Sequence, residues 1–191
     1  FTRAALRMAH EAEKDRPRLM DFLQEEFIIT RLNARDKWEA LEKLTAFFLR
    51  THRIRASQRE LVRQSVIERE KILSTGVGHG IAIPHGRIRS GAELQGVMAI
   101  LPEGVDFDSP DGLPARILIM IVTPEDHERR HNEVLAGLSA FLSDSQARNR
   151  LLSARDAHDA WEIIEAEEYR DFNYFLEETP DSDTVPIKPT A

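Results

Sequence analysis

The chain of 191 residues contains no cysteine, which excludes disulfides, thiolate metal sites and a cysteine nucleophile and fits the cytoplasm. No apolar run approaches the ~20 residues that a helix needs to cross a bilayer, so membrane insertion is not expected. The N-terminus lacks the apolar segment of a secretory signal. A formal charge of -7 argues against nucleic acid as a partner, because counterion release rewards a basic face. Nucleotide loops are missing as well: neither G-x-x-x-x-G-K-[ST] nor G-x-G-x-x-G between strand and helix occurs. What remains, 41% hydrophobic and 31% charged residues, is a globular composition with length for one domain and extensions.

The two ends differ from the middle. Residues 1–18 are charged, with a weakly helical run from Thr2 to Lys14 that stops before Pro17, and residues 171–191 form an acidic tail containing proline. Residues 19–170 are expected to hold the folded domain. Its opening strand is predicted at 27–30. Trp38, Leu41, Leu44 and Phe48 then recur at helical spacing between Asp36 and Thr51 and predict one buried stripe. Ser57 and Glu60 form S-x-x-E, a capping-box pattern for a second helix ending near Leu73.

On that second helix Val62, Val66, Arg69 and Leu73 share a face. Arg69 breaks the apolar stripe, and an unpaired buried guanidinium costs on the order of several kcal/mol. It is expected either to bridge a carboxylate such as Glu68 or Glu70, or to hold an anion. A strand is predicted at 97–101, a Gly/Pro/Asp-rich loop at 102–114, and a strand covered on both faces at the apolar run 117–122. Helices on both sides of a sheet follow, so the fold class is α/β, a mixed β-sheet flanked by helices on both faces. The next helix is expected to be capped from Thr123 to Asp126 with Pro124 in its first turn. Its inner face carries His131, Leu135, Leu138 and Leu142. Asp144 and Asp156 begin two further helices, the last with Ala157, Ala160, Trp161 and Ile164 inward.

Residues 75–87 read T-G-V-G-H-G-I-A-I-P-H-G-R. Glycines at 76, 78 and 80 precede a short apolar strand that runs into Pro84, His85 and Gly86. Proline fixes its own φ and favours extended geometry before it, while Gly86 allows close approach. His85 is thus presented at a strand end in a backbone-rich pocket suited to an anion. Neutral imidazole is a nucleophile near pH 7, and phosphoryl transfer asks chiefly for positioning, donors and a cation. Gly78, His79, Gly80 and Gly86 with Arg87 make the candidate phosphate-binding loop. A glycine-rich turn with an incidental surface histidine is the alternative on these residues alone, as a core histidine is for His131.

The segment G-V-G-H-G-I-A-I-P-H-G-R closely resembles the phosphorylation motif of fructose/mannitol-type IIA components of the bacterial phosphotransferase system, most of all the nitrogen-regulatory IIA proteins. Glu68-Arg69-Glu70 upstream, F-D-S-P-D-G-L-P-A-R with I-L-I-M-I-V downstream, and His131 near a helix start extend the likeness over residues 27 to 168. The resemblance implies that His85 accepts a phosphoryl group on Nε2 from an HPr-like phosphocarrier protein. It further implies that Arg69 and His131 stabilise the group in transfer. No cofactor or metal is required. With no cysteine acceptor in the chain, the onward partner is expected to be a separate IIB component or a regulatory target protein, and a regulatory role is favoured. His127-Glu128-Arg129-Arg130-His131 also matches H-E-x-x-H, which makes a zinc-dependent hydrolase the remote alternative. Its flanking arginines repel a cation.

Overall fold

A computed structural model describes residues 18–89 and 93–177, with the backbone alone for 140 and 170–177. The run expected to be helical at 2–14 and the tail beyond 177 lie outside the described residues. Six strands, β1 (Ile28–Ile29), β2 (Gly76–Gly78), β3 (Ile81–Ala82), β4 (His85–Ile88), β5 (Gln95–Val105) and β6 (Ala115–Pro124), form one mixed sheet. Their order is β1-β5-β6-β3-β2, with β4 also beside β6. Strand β6 is antiparallel to β5 and parallel to β3 and β4.

Five α-helices among the described residues cover the sheet: α1 (Lys37–Thr51), α2 (Ala56–Ile72), α3 (Glu128–Ser143), α4 (Ser145–Leu152) and α5 (Ala157–Glu177). Side chains alternate across a strand, so the unbroken apolar run of β6 feeds two cores. Ile117, Ile119 and Ile121 pack with Val134, Leu138 and Leu142 of α3, Leu151 of α4 and Ile164 of α5. Leu118, Met120 and Val122 pack with Leu41, Leu44 and Phe48 of α1 and Val62 and Val66 of α2. Each such side chain contributes about 1.5–3 kcal/mol by leaving water. Glu168 of α5 accepts the N–H groups of Leu19 and Met20, tying the short 3-10 turn Leu19–Asp21 to the last helix. No helix among the described residues is long and apolar enough to cross a membrane.

Several local expectations are corrected. Trp38 lies outside the buried stripe at 40% exposure, because Asp36 caps α1 through the Glu39 N–H and the first turn faces outward with Lys37 over the indole. Helix α2 starts one residue before Ser57, with Arg55 at its N-cap and no side-chain cap. Arg59 Nε instead reaches the Ile54 carbonyl at 3.0 Å. Leu73, expected inward, is 68% exposed since the helix ends before it, and Glu70 takes the inner place at 2%. Residues 102–105 continue β5 instead of forming loop. Thr123 and Pro124 close β6, and the N-cap of α3 is His127. Helix α5 carries 171–177, expected as tail, in its last turns.

Candidate functional site

The glycine repeat turns out to be a hairpin. Strands β2 and β3 pair antiparallel, Gly78 opposite Ile81, and the two residues between them have φ of 55° at His79 and 76° at Gly80. Two positive φ values in succession are the requirement of a type I′ turn, whose twist matches that of the strands. The His79 N–H donates to Asp111 Oδ2 at 2.6 Å, and a Cβ on Gly78 would stand 3.0 Å from the same oxygen. The Gly80 carbonyl accepts from the N–H groups of Arg116 and Ile117. This places the turn against the start of β6, whereas His85 pairs with Ile121, four residues and so ~13 Å further along. Gly78, His79 and Gly80 therefore stand apart from His85, and the His79 N–H is taken by a carboxylate.

His85 stands in an interrupted line. The register Ile81 to Ile117 and Ala82 to Leu118 resumes as His85 to Ile121 after a gap at 83 and 84. Pro84 has no N–H to give the ladder, and in the gap the Ile83 carbonyl accepts from His85 Nδ1 at 2.8 Å. A carbonyl only accepts, so the ring proton is on Nδ1 and the lone pair on Nε2. Burial holds the His85 titration below its ordinary value; the Ile83 bond opposes this and the charge of Arg69 adds to it.

Arg69 comes from the last turn of α2. That helix lies directly on the β4 backbone, where a Cβ at Gly86 would collide with Ser65 Oγ and stand 2.9 Å from Val66 Cγ2. Arg69 Nε–H donates to His85 Nε2 at 3.0 Å and Nη1 to the Leu73 carbonyl at 2.7 Å. Glu70, one of the carboxylates Arg69 was expected to bridge, accepts from Thr75 N–H at 3.1 Å and Thr75 hydroxyl at 2.5 Å and pairs with Lys37 at 3.4 Å. Lys37 reaches on to Asp108 at 2.6 Å.

From the other side of the sheet, α3 brings His131, 5% exposed, with its ring centroid 5.2 Å from that of His85. Its Nδ1 lies 2.8 Å from the Thr123 hydroxyl. Burial first, then the fields of His85, Arg87 and Arg69, depress its pKa to about 4, so the ring is neutral at pH 7. Residues 21–167 match the family described as phosphoenolpyruvate-dependent sugar phosphotransferase system, EIIA 2. The chain belongs to this IIA family. It is 29% identical over 146 residues to a nitrogen regulatory protein of Bradyrhizobium diazoefficiens, covering 76% of this chain and 94% of that one. With the fructose-specific EIIA component of Haloferax volcanii it shares 33% over 110 residues, 58% and 71% of the two chains. The crystal structure of the nitrogen regulatory protein IIA-Ntr from Neisseria meningitidis superposes with a TM-score of 0.68 at 28% identity, over 75% of this chain and 97% of that one.

In this IIA protein Arg87, next to Gly86 on β4, donates through Nη2 to the Glu125 carbonyl at 2.7 Å, while its Nε is buried with no hydrogen-bond partner among the described residues. His85, Arg69 and His131 thus converge, and Arg87 adds positive charge at their edge. The H-E-x-x-H histidines part company: His127 and Glu128 are exposed, and His131 is buried with Nδ1 taken. Among the described residues no group of His, Cys, Asp or Glu is placed to hold a metal ion. Sequence reading missed Thr123 at this site. Thr123 had a signal, as the one hydroxyl ending an apolar strand, but capping was the commoner explanation for it.

Proposed function

We propose that this chain is a phosphohistidine carrier of a bacterial phosphotransferase system, its IIA domain spanning 19–170, working in the cytoplasm in a nitrogen-type regulatory role. The observation that carries this reading is the lone pair of His85 Nε2, flanked by Arg69 and His131 from opposite faces of the sheet. In the transfer, the P–N bond of a phosphohistidine on an HPr-like protein breaks, its electron pair returning to the donor imidazole. The Nε2 lone pair forms the new P–N bond. The proton stays on Nδ1, donated to the Ile83 carbonyl, and the donor imidazole keeps the proton on its other nitrogen, so no separate base is required. Arg69 Nε–H covers the lone pair at rest and moves onto the phosphoryl oxygens as they arrive, where a charged fork binds best. His131 and Arg87 supply further donors. Ile72 and Leu73, 82% and 68% exposed, adjoin Arg69 and offer apolar area for a docking carrier.

Incubation with phosphoenolpyruvate, the general phosphotransferase enzyme and an HPr-like protein should add a single acid-labile phosphate, seen by intact mass. Wild-type protein that stays unmodified, or His85→Ala protein that is still modified, overturns the proposal. The likeness to a fructose-specific EIIA component supports a second reading, transport, in which the phosphate passes to a separate IIB protein. Loss of the label on adding a IIB protein favours that reading; capture of a partner by the unphosphorylated form alone favours regulation.

A further inference from the structure

The hydroxyl of Thr123 is the polar group in direct contact with His131, and its direction of donation decides what His131 offers to the site. Thr123 is fully buried at the end of β6, and its hydroxyl makes one hydrogen bond among the described residues, to His131 Nδ1 at 2.8 Å. Two arrangements satisfy that distance. If Nδ1 carried the ring proton and donated to the hydroxyl, the hydroxyl hydrogen would be a buried donor with no acceptor. If the hydroxyl donates to Nδ1, the unsatisfied groups are oxygen lone pairs. Orphaned buried donors are much the rarer of the two, so the second arrangement is favoured. Neutral imidazole holds one ring proton, which then resides on Nε2.

We propose that Thr123 is a positioning residue that fixes His131 as the Nε2–H tautomer, making it a hydrogen-bond donor towards a group carried on His85. The inference rests on the phosphohistidine reading of His85 for its purpose, but not for its geometry. The tautomers of the two histidines are then complementary: His85 exposes a lone pair and His131 a proton. Were His131 to present a lone pair instead, it would repel the phosphoryl oxygens and compete with His85 as an acceptor.

The test uses the full chain and two variants, Thr123→Val, which keeps the shape and deletes the hydroxyl, and Thr123→Ser, which keeps the hydroxyl. Long-range 15N–1H spectra of unphosphorylated protein at neutral pH report which His131 nitrogen bears the proton. Wild type and Thr123→Ser should show Nε2 protonated and Nδ1 bare, and Thr123→Val should show a mixed or reversed population. The rate of phosphate uptake from a charged HPr-like protein should fall about tenfold in Thr123→Val, less than the full loss of an electrostatic donor, and recover in Thr123→Ser. A wild-type His131 protonated on Nδ1 overturns the inference, as does a Thr123→Val protein with unchanged tautomer or unchanged rate. Should the spectra behave as expected while wild-type His85 never takes up phosphate, the tautomer assignment stands and the carrier function falls.

Discussion

At the scale of single residues, His85 differs from an ordinary histidine in two ways that bear on rate. Its proton is held on Nδ1 by a carbonyl, and its titration is displaced downward, chiefly by burial. The nucleophilic neutral form therefore survives below the pH at which a solvent-exposed imidazole is half protonated, about 6.5. Phosphate uptake from a pre-charged donor should fall in acid with a midpoint below about 6.5. A rate already halved at pH 6.5 would contradict this. Arg69 tests the cation: Arg69→Lys keeps a charge but not the fork that spans His85 and the Leu73 carbonyl. Uptake should slow by about a hundredfold with an unchanged circular dichroism spectrum. Both residues were legible in the sequence, Arg69 as a polar interruption on an apolar helix face and His85 as the residue presented between Pro84 and Gly86 at a strand end. Arg69 proved half-buried where the periodicity implied full burial, since α2 ends at Ile72 and its last turn opens towards the site.

Among the elements, the junction of α2 with β4 sets the distance between guanidinium and imidazole. Gly86 is the contact point, and Gly86→Ala should shift the helix and cost about 1–3 kcal/mol in the manner of an overpacked core. Chemical denaturation would register the loss, and phosphate uptake should fall with it. The β2–β3 hairpin makes a separate case. His79 occupies a left-handed conformation that β-branched residues resist, so His79→Val should destabilise by roughly 1–2 kcal/mol, whereas His79→Gly should be neutral or better. Equal midpoints in urea for the two variants would refute that reading of the turn. Here the sequence left the outcome open for a physical reason. Glycines at alternate positions suit an anion cradle and a tight hairpin equally well, and the choice depended on Asp111, more than thirty residues away, which no local pattern connects to the loop. The buried strand at β6 was plain, because a run of six apolar residues leaves both faces to be covered.

For the molecule as a whole, two buried titrating groups pull stability in opposite directions. Burial raises Glu168 to about 7, partly offset by the N–H groups of Leu19 and Met20. The folded state therefore binds a proton that the unfolded chain lacks down to about pH 4.5, and this stabilisation fades as pH rises through 7. His131 behaves conversely: its contribution is complete above about 6.5 and is lost as pH falls towards 4. Between about pH 8 and 6.5 protonation of Glu168 therefore adds stability while His131, His85 and His52, all displaced downward, begin to subtract it, and Glu168→Gln should turn the dependence of the urea midpoint on falling pH downward. An unaltered slope in the variant would remove Glu168 as the cause. Glu168 was not singled out from sequence, since burial of one carboxylate on an acidic helix depends on where the N-terminal turn docks, whereas His131 was, as a histidine on an apolar helix face. The break in the strand line at Pro84 carries a last implication. The acceptor that orients the nucleophile belongs to the main chain of Ile83, so alanine scanning would leave it untouched and report His85 as self-sufficient. Replacing amide carbonyls by chemical synthesis, not side chains by mutagenesis, is the way to expose that dependence.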